Sequence, residues 1–80
     1  MLKNDTSKKL MIRFKKSKDF NKTIEKLRKE GYYVEKRHFD NKKAIIVSKD
    51  KDTIWYVAVL YEENEDADAE YKQRIYAIYY

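Results

Sequence analysis

Between Leu10 and Lys15 the chain alternates: Leu10, Ile12 and Phe14 are interleaved with Met11, Arg13 and Lys15. A period of two places every second side chain on one face of a strand, so the pattern predicts a strand over 10–16. Residues 1–9 are polar and are expected to form a flexible N-terminus. The period then changes. Phe20, Ile24 and Leu27 recur at i, i+4 and i+7 and draw one apolar stripe along a helix. Ser17 or Asp19 can cap that helix by accepting from the unpaired amides of its first turn. Gly31, the only glycine, stands where a left-handed residue would end it. A helix is therefore predicted over 18–30.

Three segments enriched in β-branched and aromatic residues follow: "YYVEKRHF" (32–39), "KAIIVS" (43–48) and "TIWYVAVLY" (53–61). The polar "DNK" and "KDKD" between them read as turns, so an antiparallel meander is expected. The last of the three is apolar on both faces, with Ile54, Tyr56, Ala58 and Leu60 on one and Trp55, Val57, Val59 and Tyr61 on the other. One helix cannot cover such a strand, which calls for a second helix or a partner chain, including a second copy in a homodimer. The closing "EYKQRIYAIYY" fits a fifth strand or a helix. Helical spacing of Ala67, Tyr71, Ile75 and Ile78, with acids preceding Lys72 and Arg74 as the helix dipole prefers, favours the helix. The expected architecture is a single small α+β domain over 10–80 in the order β-α-β-β-β and then a C-terminal helix, with a fifth strand as the alternative. The helices should pack on a mostly antiparallel sheet.

Composition narrows this without changing it. Eighty residues support one small core, and 42% hydrophobic content is that of a folding chain despite 41% charge. The absence of cysteine removes disulfides, thiolate metal sites and thiol catalysis, and fits a reducing compartment. The N-terminus carries no apolar stretch of the signal-peptide kind, and the longest apolar run, Ile54 to Tyr61, is too short to span a bilayer. A soluble cytoplasmic protein without membrane contact is expected. Lys, Ile, Asn and Tyr, encoded by AT-rich codons, supply 34 of the 80 residues, which points to a low-GC bacterium or its phage.

Charge is divided along the chain. Residues 1–51 hold 17 Lys plus Arg against 7 Asp plus Glu, whereas residues 52–80 hold 2 against 7. The overall charge is +5, yet Glu62, Glu63, Glu65, Asp66, Asp68 and Glu70 fall within nine residues. Two or three acids would serve a helix start. Six leave a surplus that could imitate a phosphate backbone and dock on a basic groove. This stretch is the first candidate partner-binding site. The alternative is a nucleic-acid site made of Arg13, Lys15, Lys16, Lys18, Lys22 and Lys26, whose charges could neutralise phosphates while some of the eight tyrosines stack on bases. "RIYAIYY" has the aromatics of an RNA-recognition strand but lacks its glycine and its spacing.

Enzymatic chemistry has no support. Asp66, Asp68 and Glu70 share the alternate spacing that opens a calcium loop, but no glycine follows at the sixth position and no glutamate at the twelfth, so no metal is expected. His38 is the only histidine and reads as a strand residue; no nucleophile motif surrounds Ser7, Ser17 or Ser48. One glycine cannot build a phosphate-cradling loop. No cofactor is expected. The leading expectation is a small non-enzymatic binding protein, a phage or mobile-element inhibitor that blocks a nucleic-acid-handling host protein through the acidic patch. A basic nucleic-acid-binding module comes second, and a toxin or antitoxin component third.

Overall fold

The computed structural model describes residues 5–64 and 72–80. Two helices, α1 (Asp5–Lys16) and α2 (Phe20–Lys29), precede four strands, β1 (Tyr33–Phe39), β2 (Lys42–Ser48), β3 (Val57–Glu63) and β4 (Gln73–Tyr79). The strands form one antiparallel sheet in the order β1-β2-β3-β4. Both helices pack on the same face of it, α2 against β1 and α1 against β3. This is an α+β domain, as expected, but two elements differ in kind from the reading of the sequence.

The segment expected as a strand over 10–16 is part of helix α1, and residues 5–9, expected to be frayed, form its first turns. Leu10 and Phe14 suit either structure, because four residues are two strand periods and about one helical turn. Ile12 discriminates. It is 45% exposed, whereas Leu10 and Phe14 are buried together with Ser7, the one-sided pattern of a helix. The second correction concerns the C-terminus, where the expected helix is strand β4, the alternative reading. Ile75 lies opposite Tyr61 and Ile78 opposite Val59, so β4 spends one residue more than β3 over the same stretch. That bulge puts residues three apart on one face, and this spacing imitates helical periodicity. Ala67 and Tyr71, the other members of the supposed stripe, lie outside the described residues.

Helix α2 follows its sequence signals closely. Asp19 caps it, its Oδ1 accepting from Asn21 N at 3.1 Å. At the other end Gly31, at φ 100°, lets its own amide donate to Arg28 O and that of Tyr32 to Leu27 O, both at 3.1 Å, a Schellman ending. The β1–β2 turn places Asp40 and Asn41 at φ 49° and 68°, the pair of left-handed residues that a two-residue hairpin needs.

The core lies between helices and sheet. Leu10 and Phe14 from α1 and Phe20, Ile24 and Leu27 from α2 meet Val34, Ile45, Val47, Val57, Val59 and Tyr61. Phe20 stands edge-on to Phe14 and to Tyr61, with ring centroids 5.5 and 5.0 Å away. Arg13 joins the helices through two hydrogen bonds to the Glu30 carboxylate at 2.9 and 2.8 Å. These bonds hold Glu30 below its ordinary range and raise Arg13. The N-terminal ends of α2 and β4 are tied by Phe20 N donating to Gln73 Oε1 and by Lys72 Nζ at 3.8 Å from Asp19.

Candidate functional site

Both helices occupy one face of the sheet, and no described helix or strand covers the other. Strand register arranges that face in three rows. Glu35, Ile46, Ala58 and Tyr79 form the first, Arg37, Ala44, Leu60 and Ala77 the second, and Phe39, Lys42, Glu62 and Arg74 the third. Small residues floor the middle: Ala44 and Ala58 are buried although no described helix or strand lies over them. Large side chains stand around this floor. Phe39 is 42% exposed, Trp55 44%, Tyr76 47% and Tyr79 56%.

The β2–β3 connection supplies Trp55 and Ile54, which border a depression shared with Tyr33, Ile46 and Ser48. Ser48 donates to Asp50 O at 2.6 Å, and Asp52 N donates to Asp50 Oδ1 at 2.9 Å, giving the connection a local framework. Tyr76, the extra residue of the bulge, joins the open face: its hydroxyl donates to Glu62 Oε2 at 2.6 Å, and Lys42 Nζ lies 4.7 Å from its ring centroid. Arg37 Nη2 donates to Glu35 Oε2 at 2.9 Å, which lowers the Glu35 carboxyl from its ordinary range. The face therefore presents aromatic groups among charges that largely balance one another.

The two charged candidates fare differently. Glu62 and Glu63 close strand β3, and both are engaged within the domain, Glu62 with Tyr76 and Glu63 with Lys43 at 3.0 Å. Glu65, Asp66, Asp68 and Glu70 lie outside the described residues. With β4 in place of a helix, Glu62 and Glu63 are not part of a helix start. The basic candidates all sit on the helical layer or its connection. Lys15, Lys16, Lys18, Lys22 and Lys26 are exposed, whereas Arg13 is taken up by Glu30. His38 is exposed on β1. Among the described residues no group of three or more His, Asp or Glu is placed to hold a metal, and no helix is long and apolar enough to cross a membrane.

Sequence reasoning identified the surplus of apolar surface on the third meander segment but not the residues that gather around it. Phe39 and Trp55 were legible only as strand-formers, and Tyr76 fell in the segment expected as a helix. The alanines at 44, 58 and 77 were the available signal, since a strand face meant to receive a helix would carry larger side chains there. Comparison with known proteins gives no further guide: no family model, no curated protein and no solved structure matches this chain.

Proposed function

We propose that the protein is a non-enzymatic binding module that docks another protein on the open face of its sheet. The observation that carries this reading is the gathering of Phe39, Trp55, Tyr76 and Tyr79, all exposed, on the side away from the helices. Exposed aromatics around an apolar floor are the composition of an interface centre, where rings bury large areas at small entropy cost. Charge favours a protein over a polyanion on this face. Glu35 and Glu62 stand among Arg37, Lys42 and Arg74, and Arg37 is already paired, so a phosphate chain would gain little attraction there. The proposal keeps the expected setting, a phage or mobile-element inhibitor of a nucleic-acid-handling host protein, and moves its contact surface from the acidic stretch to the sheet.

A photo-crosslinking residue in place of Tyr79 tests this in lysate from a low-GC bacterium. The reading requires an adduct with a different protein that excess unlabelled native chain suppresses and that a Phe39→Ser/Trp55→Ser competitor does not. Adducts only between copies of the chain would make the face a homodimer interface, and suppression by both competitors alike would detach binding from the sheet. Either result ends the proposal.

A further inference from the structure

The helical layer carries a second surface. Leu10 and Phe14 face the sheet, so at 100° per residue Lys9 and Lys16 lie on the outward side of α1. Phe20, Ile24 and Leu27 likewise turn Lys22 and Lys29 outward on α2, with Lys26 beside them and Lys18 in the connection. All six are exposed. None reaches a carboxylate within 4.0 Å among the described residues, Lys26 acting on Glu30 only from a distance. Among the described residues, two acids of this layer are committed elsewhere: Glu30 binds Arg13, and Asp19 caps α2 and faces Lys72. Glu25 and Asp5 are the other carboxylates of the layer.

We infer that this surface docks on the phosphate backbone of duplex nucleic acid, independently of the sheet face. Among the described residues, six cations against two exposed carboxylates, Glu25 on α2 and Asp5 one turn before Lys9 on α1, leave a net positive field over both helices. The members of each pair, Lys9 and Lys16 on α1 and Lys22 and Lys29 on α2, are seven residues apart, about 10.5 Å along the helix axis, so each pair can meet separate phosphates. Recognition is of the backbone and not of single-stranded bases, because Phe39, Trp55, Tyr76 and Tyr79 all lie on or beside the sheet and neither helix exposes an aromatic ring for stacking. An anionic membrane is a poorer occupant. The large apolar side chains of both helices are turned into the core except Ile12, which leaves a single exposed side chain to insert between lipids.

The test is binding of a fluorescent 20-base-pair duplex across a salt series. With four to six phosphates neutralised, affinity should fall about 10²- to 10³-fold between 50 and 200 mM salt. The quadruple variant Lys9→Gln/Lys16→Gln/Lys22→Gln/Lys29→Gln should lower the slope of log K against log salt by about 3 to 4, each lost phosphate contact being worth about 0.9. A control with Lys42→Gln, Lys49→Gln, Lys51→Gln and Arg74→Gln removes the same total charge from outside the helical layer and should leave the slope close to native. Circular dichroism of both variants establishes that they fold, and Lys9→Arg/Lys16→Arg/Lys22→Arg/Lys29→Arg should keep the native slope. The inference is overturned by three results: no duplex binding at 50 mM salt, equal slope losses in the variant and the control, or tighter binding to phosphatidylglycerol vesicles than to duplex at equal phosphate. Trp55→Ser should leave duplex binding unchanged, so loss of this activity and loss of the sheet-face interaction are read separately.

Discussion

Leu10, Ile12 and Phe14 provide a direct test of the first element. In a strand facing the core all three would be buried; in helix α1 Leu10 and Phe14 are 1% and 0% exposed and Ile12 is 45% exposed. Replacing Leu10 by Ala leaves a cavity where the surrounding side chains cannot fully collapse, and should cost about 2–5 kcal/mol. Replacing Ile12 by Ala forfeits only part of its burial and gains a better helix former, so its effect should stay within about 0.5 kcal/mol. A chain of 80 residues has a total stability of about 4–12 kcal/mol, so the first change is a large fraction of the whole. Urea denaturation followed by circular dichroism measures both. With a slope of about 1 kcal/mol/M for so small a domain, the Leu10→Ala midpoint should fall by about 2 M or more and the Ile12→Ala midpoint by less than about 0.5 M. Equal shifts for the two variants would refute the helical assignment and the burial pattern built on it.

Further outcomes follow from the same geometry. Gly31 holds φ 100° with nothing within 4 Å of where a Cβ would stand, so Gly31→Ala should cost about 1–2 kcal/mol from backbone strain alone, visible as a lower melting temperature; an unchanged one would remove the Schellman ending from the account. Arg13 holds the Glu30 carboxyl below its usual 4.5, so their contribution is present above that pH and lost as pH falls through the lowered value. Glu30→Gln should therefore be less sensitive to acid than the native chain in thermal melts between pH 5 and 2, and parallel curves would show the pair to be idle. Burial first and Glu63 second raise the Tyr61 phenol above its ordinary 10, so its contribution is full below pH 10 and lost as pH rises through the raised value. Tyr61→Phe should shift alkaline unfolding to higher pH, and a spectrophotometric titration without a late-ionising tyrosine in the native chain would contradict this.

The sequence by itself determined those elements whose signals are local. Helix α2 could be read from Asp19, the stripe of Phe20, Ile24 and Leu27, and Gly31, because capping and amphipathic spacing are decided within a few residues of chain. The β1–β2 hairpin was equally legible, since Asp40 and Asn41 tolerate the left-handed backbone that the turn demands. Two elements were ambiguous for one reason: a short apolar spacing is compatible with more than one period. At Leu10 and Phe14, four residues satisfy strand and helix alike, and the exposure of Ile12 follows only from where α1 rests on the sheet. At Ile75 and Ile78, a three-residue spacing belongs to a strand only because a bulge against β3 absorbs a residue, and a bulge is a property of two strands, not of one. The candidate surfaces are also tertiary. Charge totals placed most of the lysines in the first half of the chain, but their gathering on one layer depends on both helices choosing the same face. That choice also leaves the alanine-floored side of the sheet without a described helix over it, and strand register brings Phe39, Trp55, Tyr76 and Tyr79, far apart in the chain, to a single face.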